Sequence, residues 1–509
     1  MISTPPTVVF GARHRLSAFA ILSLAAFSVF AALDLDAAKR ITIGMRDAVT
    51  GHFDWLFVAV VSGVLLLAIG LLFLPGASRR IGRDDELPEF SRWSWFAMLF
   101  SAGLASGLVY WGTAEPVTHF GGNPFVSADA DGRLAATRAV TITVFHWGLH
   151  GWGLYAIAGL AIGLSAYRQG RPLTFSAALA PVIGDRLASG WVGHAVDLLA
   201  LYGTVFGVAT SIGLAVGSMN ATIEPLGTVP FNLYSQLGMV LLVSTLGVLS
   251  VLSGVARGIR RLSEFNVWLS LALMAAIVVV GPTTWLMTQL PANVADYAVN
   301  ALPMGFWIAD DAAGHAWQSA WTVFYWGWWL AWTPFVALFI ARISRGRTVR
   351  EFILGVLIVP SLVVIVWMTI FGETAIYEDL TTQGVVSSAV SADYSLGLVV
   401  TIGNLPFPAL HTLLLGVVAV LLFTWLITSL DSATLVICHI LHLDHLGSMK
   451  ILWGFLVGGV TCTLMLIGGI EALQAASIII GLPMAILMLA MSAAAVKLIV
   501  GAAPQAAAE

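Results

Sequence analysis

The chain has 509 residues, of which 59% are hydrophobic and only 10% are charged, and its mean hydropathy is +0.92. Soluble domains carry about 25% charged residues, so this composition excludes an ordinary soluble protein and predicts one whose solvent is the lipid bilayer. The net charge of -4 and the absence of a basic block give no indication of nucleic-acid binding, and two cysteines in apolar runs predict no disulfide framework.

Twelve apolar runs are long enough to cross roughly 30 Å of hydrocarbon. They fall at 16–33, 53–75, 93–118, 137–166, 191–222, 233–254, 263–289, 318–343, 353–372, 405–438, 450–470 and 474–498. The first run follows two arginines like a signal peptide, but charged residues rather than a cleavage site come next, so we expect a retained helix. Segment 290–317 is expected to be an amphipathic outer connection, and 373–404 a second long outer connection.

The basic residues predict the orientation. With both termini in the cytoplasm, 18 of the 23 lysines and arginines lie on the inner side. The exceptions are Lys39, Arg40, Arg46, Arg133 and Arg138. This bias follows the positive-inside rule and agrees with an even number of spans. We therefore expect a multi-pass protein of the cell (inner) membrane.

The third span contains small residues from Ser101 to Gly107 (SAGLASG), followed by WGTAEP at 111–116. Small residues allow another helix to approach closely. Glycine also permits local unwinding, which frees backbone carbonyls to bind a cation or a substrate. Taken alone, the pattern favours packing over a binding site.

The fourth span contains the run FHWGLHGWGLY at 145–155. Trp147, His150 and Tyr155 fall broadly along one side of a helix, with Trp152 beside them. His146 and His150 are four residues apart and have the spacing of a metal or haem half-site. The alternative, which the sequence favours, is a buried histidine that donates to a carbonyl.

The eighth span reads FYWGWWLAWTPF at 324–335 and has four tryptophans in seven residues. Tryptophan usually lies at the membrane interfaces, so a cluster at mid-span is unusual. Trp328 and Trp332 share a face, and Trp329 lies about 100° round the helix from Trp328. The cluster is either an aromatic cage for a cation that has no N–H to donate, or apolar bulk.

The tenth span carries adjacent hydroxyls at Thr428 and Ser429, followed by Asp431. Hydroxyl oxygens suit an alkali ion, but such side chains also bond to the preceding helical turn. An acidic residue in a span is costly and indicates function unless it anchors a helix end. We find no Gly-x-Ser-x-Gly, His-Glu-x-x-His or P-loop motif, and we predict that the protein is not an enzyme.

Together these stretches resemble the betaine/carnitine/choline transporter family. The run FYWGWWLAWTPFVALFIARISRGRTVR at 324–350 closely resembles that family's characteristic helix and following loop, and the motifs of spans three, four and ten match as well. The resemblance implies an all-α membrane fold with two inverted five-helix repeats. These would be spans 3–7 (93–289) and spans 8–12 (318–498), joined by the connection 290–317. An N-terminal segment (1–92) with two peripheral helices and a short C-terminal tail (499–509) would complete the chain.

The resemblance also implies the site residues. Trp147, Trp152, Tyr155 and Trp329 would form a substrate cage, while Trp326, Trp328 and Trp332 would line the route or a lower site. The backbone of Ala102, Gly103 and Leu104 would meet a substrate carboxylate. A sodium ion would be bound by the carbonyls of Ser101, Leu104 and Trp425 and by the hydroxyls of Thr428 and Ser429.

The implied function is secondary active import of a quaternary-ammonium or dimethylsulfonium solute by sodium symport. The candidates are glycine betaine, choline, carnitine, dimethylsulfoniopropionate and trimethylamine N-oxide. The resemblance places Asn266 where the sodium-independent exchangers of the family carry an arginine that replaces the ion. The asparagine therefore favours sodium coupling here. The resemblance further implies a homotrimer and no cofactor beyond the coupling ion, and the short tail predicts weak or absent osmotic activation.

Alternatives remain open at this point. One is a proton-coupled symporter or a sodium-independent exchanger of the same solutes. Another is a membrane oxidoreductase that uses His146 and His150. A third is a channel or a receptor that does not transport.

Overall fold

The computed structural model describes residues 13–101, 105–127, 129–227, 229–253 and 256–501. Apart from one antiparallel bridge between Arg80 and Thr348, these residues contain helices and connecting loops and no strand. The α-helices are α1 (Arg13–Leu33), α2 (Leu35–Leu71), α3 (Arg92–Ser101), α4 (Ala105–Gly121), α5 (Gly132–Trp147), α6 (Leu149–Gln169), α7 (Phe175–Ile183), α8 (Asp185–Ala188), α9 (Trp191–Ile223), α10 (Leu233–Ser253), α11 (Ala256–Val280), α12 (Thr283–Gly305), α13 (Ala312–Gln318), α14 (Phe324–Ile343), α15 (Val349–Thr381), α16 (Val385–Ala392), α17 (Gly397–Gly403), α18 (Pro408–Ile440), α19 (Gly447–Gly468) and α20 (Ile470–Val500).

Several helix ends follow from local side chains. The Asp34 carboxylate accepts from the Ala37 N–H at 2.9 Å and begins α2, which starts well before the apolar run predicted at 53. The Thr348 hydroxyl accepts from the Glu351 N–H at 3.1 Å and begins α15. Gly170, with a φ of +69°, ends α6 in the left-handed conformation that glycine tolerates.

Ten helices of the described chain are long and apolar enough to cross a membrane, and an eleventh crossing is present if one bent pair counts as a span. That pair, α11 and α12, bends by 117°, so the seventh predicted span ends at Val280 rather than at 289. The predicted third span is divided between α3 and α4, and residues 102–104 between them lie outside the described residues. The twelve-span count and the inverted repeats stay predictions.

Two spans are enclosed by the others. In the spans Gly132–Gln169 and Ala312–Ile343, 94% of the most apolar window is buried, compared with 22% for α1. The second of these includes a π-helical turn at Ser319–Val323, directly before α14. Such turns widen a helix locally and often occur at functional sites. The aromatic motifs therefore lie on the most enclosed helices.

The fourth span is broken at its centre. The helix α5 ends at Trp147 and α6 begins at Leu149, with Gly148 between them. The Leu149 N–H freed by the break donates to the hydroxyl of Tyr297, on α12, at 2.9 Å. A Cβ at Gly148 would lie only 2.5 Å from that hydroxyl oxygen, so the break requires glycine. The break separates Trp147 from the two aromatic residues that follow it in the motif.

The basic loop after α14 is fixed to the loop after α2. The Ile81 N–H donates to the Arg347 carbonyl at 2.7 Å, and the Val349 N–H donates to the Arg79 carbonyl at 2.8 Å. The buried Arg347 guanidinium lies over the Trp95 ring at 4.2 Å and pairs with Glu351 at 2.6 Å. These contacts assign the RISRGRTVR part of the sequence motif a structural role at the end of the enclosed span.

Candidate functional site

Four aromatic rings from α5, α6 and α14 meet in the interior. The Trp329 ring centroid lies 4.9 Å from that of Tyr155, 5.9 Å from Trp152 and 6.3 Å from Trp147. The Trp152 and Tyr155 rings are 5.5 Å apart and nearly perpendicular. Each of the four residues is at most 4% exposed. The four rings that the sequence grouped as a cage are thus neighbours around Trp329, and we call them the aromatic cluster.

Hydrogen bonds orient two of these indoles. The Trp329 Nε1–H donates to the carbonyl of His146 at 2.9 Å, across the interface between α14 and α5. The Trp147 Nε1–H donates to the Glu115 carboxylate at 3.0 Å. Both indole N–H groups therefore point away from the cluster, and the rings are left as its apolar walls.

Two glycines make room for the cluster. A Cβ at Gly151 would lie 2.3 Å from the Trp329 indole. A Cβ at Gly107, on α4, would lie 2.4 Å from the Trp147 ring and 3.3 Å from the Trp328 ring. These glycines of spans three and four thus allow close packing. The groups that pack against them are aromatic rings.

The other three tryptophans of α14 have different surroundings. The Trp328 and Trp332 Nε1–H groups both donate to the carbonyl of Gly207 on α9, at 3.3 and 2.7 Å. The Trp326 ring stacks on His150 at 5.7 Å and meets Phe145 at 5.2 Å. The Trp328 ring also meets the Trp147 ring of the aromatic cluster at 5.5 Å. The proposed place of these three tryptophans along a substrate route stays a prediction.

A buried carboxylate lies directly behind the aromatic cluster. One oxygen of Glu115 is 2.6 Å from His146 Nδ1 and 3.3 Å from His119 Nε2. The other oxygen accepts from the Trp147 indole and from the Tyr325 hydroxyl. In the sequence, Glu115 was noted only as part of the WGTAEP motif. An acidic residue inside an apolar span is itself a signal of function.

The predicted histidine pair does not act as a unit. His146 bonds to Glu115 through Nδ1 and approaches the Thr322 hydroxyl at 3.1 Å through Nε2. His150 instead stacks on Trp326. Among the described residues, the group with metal-ligand spacing is Glu115, His119 and His146, which is not the pair that the sequence suggested.

The predicted sodium ligands are described in part. The Thr428 hydroxyl donates to the carbonyls of Thr424 at 3.1 Å and of Trp425 at 3.0 Å, which is the back-bonding alternative that the sequence left open. Ser101 is the last residue of α3. Leu104, together with Ala102 and Gly103 of the predicted carboxylate contact, lies outside the described residues.

Two polar contacts join α18 to its neighbours near these hydroxyls. The Thr424 hydroxyl donates to the Asn266 side chain on α11 at 2.7 Å, and Asn266 is 2% exposed. The Asp431 carboxylate accepts from the Ser250 hydroxyl on α10. Asp431 lies within α18 and links it to α10.

Sequence comparison identifies the family. A family model described as BCCT, betaine/carnitine/choline family transporter, matches residues 15–502. The chain belongs to this family. The glycine betaine transporter OpuD of Bacillus subtilis is 36% identical over 488 residues, which are 94% of both chains. Glycine betaine transporter 1 of Vibrio parahaemolyticus is 38% identical over 480 residues, 92% of this chain and 90% of its own. An uncharacterized transporter of Mycobacterium tuberculosis is 39% identical over 461 residues, 89% of this chain and 76% of its own.

Family membership decides between the functional classes. Members of this family are transporters and not enzymes, so the prediction of a non-enzyme is confirmed and the oxidoreductase alternative falls. The protein is a multi-pass membrane transporter, and the aromatic cluster is its candidate substrate site.

Proposed function

We propose that this transporter imports a quaternary-ammonium or dimethylsulfonium compatible solute by sodium symport. The substrate class comprises glycine betaine, choline, carnitine, dimethylsulfoniopropionate and trimethylamine N-oxide. Two relatives are named glycine betaine transporters, and a third, from Vibrio parahaemolyticus, is named a glycine betaine/proline/choline/ectoine transporter. These names support the class and leave the individual substrate to experiment.

The convergence of three aromatic rings on Trp329 carries the proposal. A trimethylammonium or dimethylsulfonium head has no N–H to donate, so ordinary hydrogen bonds cannot hold it. Aromatic faces attract it through their quadrupole by roughly 0.5–2 kcal/mol per ring. Four rings supply several kcal/mol, which offsets the lost hydration and discriminates against smaller, strongly hydrated ammonium.

Binding in this site requires movement. At centroid distances of 4.9–6.3 Å the rings touch one another, so a methylated head must part them. Trp147 is on α5, whereas Trp152 and Tyr155 are on α6, beyond the break at Gly148. The rings can therefore move apart at this break. Alternating access would then be rocking of one helix bundle against the other around the site.

Sodium would couple to this movement through α18. An ion bound between the region joining α3 to α4 and the hydroxyls of Thr428 and Ser429 favours the conformation in which these helices approach. The protein would act in the cell (inner) membrane, with both termini in the cytoplasm and as a homotrimer. These features are part of the proposal.

A thermal-shift screen of the purified transporter tests the substrate class. We expect at least one of the five solutes to raise the unfolding temperature, because a ligand at 100 times its Kd stabilises the folded state by about 2.7 kcal/mol. The shift should be larger in sodium than in potassium at equal ionic strength. If none of the five stabilises the protein, the substrate class is wrong. Equal shifts in both salts would instead support a proton-coupled carrier or an exchanger.

A further inference from the structure

The Glu115 carboxylate is the most connected buried acidic group near the aromatic cluster. It is fully buried on α4 and contacts side chains from α4, α5 and α14. It precedes Pro116 in the WGTAEP motif, inside α4. A carboxylate placed inside the bilayer is costly unless it is fully hydrogen-bonded.

The hydrogen-bond pattern fits an ionised carboxylate. Trp147 Nε1–H can only donate, and the Tyr325 hydroxyl approaches the same oxygen. His146 Nε2 lies 3.1 Å from the Thr322 hydroxyl, and when that hydroxyl donates to Nε2, Nδ1 carries the proton that faces Glu115. His119 Nε2 completes a set of four groups, two on each oxygen. With both histidine nitrogens in the tautomer that donates, the four groups match the four acceptor positions of an ionised carboxylate.

The same four groups argue against a metal ion at this place. Glu115, His119 and His146 have ligand atoms close enough together for one. However, the 2.6 Å between His146 Nδ1 and the carboxylate is a hydrogen-bond distance. The second oxygen is already engaged by Trp147 and Tyr325. No acceptor position is left for a cation, so the cluster is organised around hydrogen bonds.

Two walls of the aromatic cluster depend on this carboxylate. Trp147 donates to it directly. The Trp329 indole donates to the backbone carbonyl of His146. The imidazole ring of His146 bonds to Glu115 and stacks on the Tyr325 ring at 4.7 Å. Loss of the carboxylate would release one indole and loosen the residue that holds the other.

From this geometry we infer that Glu115 is a positioning residue for the aromatic cluster and a fixed negative charge that makes the cluster selective for cations. The inference rests on the proposed substrate class. A charge-assisted hydrogen bond from the indole N–H to an anion pushes electron density into the ring, and an electron-rich face attracts a cation more strongly. The Trp147 indole separates the Glu115 charge from the methylated head. The surroundings have a low dielectric constant, so they screen this charge weakly.

Transport kinetics of Glu115→Gln and Glu115→Ala in proteoliposomes test the inference. We expect Glu115→Gln to raise the KM for glycine betaine at least tenfold with a smaller change in Vmax per inserted protein, and Glu115→Ala to raise it further. The matched control is Glu373→Gln. Glu373 is also a fully buried glutamate, and it accepts from Trp285, Gln289 and Asn293. Its replacement should leave KM within about twofold of the wild-type value.

A pair of isosteric inhibitors isolates the role of the charge. Choline and the neutral 3,3-dimethylbutan-1-ol have the same shape and differ in the central atom and its charge. Wild-type transporter should prefer choline, and Glu115→Gln should reduce the ratio of the two inhibition constants at least fivefold. Trp147→Phe, which keeps a ring but removes the N–H that meets Glu115, should reduce the same ratio even if the Glu115 variants fail to insert.

The outcomes separate this inference from the proposed function. Unchanged KM in Glu115→Gln, or a raised KM with an unchanged inhibitor ratio, would overturn the inference while the transport function stood. An unchanged ratio in Trp147→Phe would do the same. A wild-type protein that transports and binds none of the methylated solutes would overturn the proposed function and this inference together.

Discussion

Replacement of Trp329 by leucine is expected to reduce solute uptake to background while the protein still inserts in the membrane. Trp329 is the ring that contacts the other three members of the aromatic cluster. Its loss removes up to about 2 kcal/mol of cation–π attraction, or roughly thirtyfold in affinity. It also removes the hydrogen bond to the His146 carbonyl that joins α14 to α5. Uptake by proteoliposomes containing equal amounts of inserted protein measures the effect.

Trp453→Leu is the matched control for this prediction. Trp453 is a fully buried tryptophan on α19 and is not one of the rings that meet around Trp329. Its replacement creates a cavity of similar size and should lower thermal stability while KM stays close to the wild-type value. If Trp329→Leu retained full uptake with an unaltered KM, the aromatic cluster would not be the substrate site.

Combined replacement of Thr428 and Ser429 by alanine is expected to abolish the sodium dependence of uptake. Among the described residues, the Thr428 hydroxyl bonds to the carbonyls of Thr424 and Trp425 on its own helix, so its removal leaves the fold of α18 nearly intact. Each such bond contributes about 0.5–1.5 kcal/mol to stability. The measurement compares initial uptake rates in sodium and in potassium.

Thr434→Ala provides the control on the same helix. The Thr434 hydroxyl donates to the Leu430 carbonyl at 2.7 Å and is fully buried, so this variant loses an equivalent hydrogen bond. Its uptake should stay sodium-dependent. Should wild-type transporter take up solute equally fast in sodium, lithium and potassium, sodium coupling would be wrong, and an exchanger or a proton-coupled carrier would replace it.

Much of the architecture follows from apolar periodicity. The runs predicted at 191–222, 233–254 and 405–438 agree with α9, α10 and α18 within about three residues at each end. Long apolar stretches bounded by polar residues leave a chain in a bilayer little choice but helix. The bounds of these three helices were therefore accessible without any structure.

Breaks and bends inside helices were not accessible in this way. The break at Gly148 lies in the middle of a run predicted as one span, and the partner that satisfies the exposed backbone is Tyr297, about 150 residues away in the chain. The bend after Val280 likewise follows from a turn, Gly281–Pro282, within a run predicted to continue to 289. The Gly-Pro dipeptide is a local turn signal that the predicted run to 289 overlooked, whereas the break at Gly148 depends on a tertiary contact that local pattern does not encode.

The candidate site was predicted in its rings but not in its support. The family resemblance grouped the aromatic residues of spans four and eight, and the structure brings Trp147, Trp152, Tyr155 and Trp329 together. Glu115 was visible only as an acidic residue in an apolar span. Its role needed the side chains of α5 and α14, which helical spacing alone cannot place next to α4.

Stepwise fluorination of the Trp329 indole tests the central claim most directly. Each fluorine withdraws electron density from the ring face and weakens its attraction for a cation, with little change in shape. If the aromatic cluster binds a methylated cationic head, incorporation of mono-, di- and trifluorotryptophan at position 329 should weaken glycine betaine binding progressively, with the logarithm of Kd rising by a similar step for each fluorine. A Kd that stays the same across the series would contradict recognition of the cation by this ring.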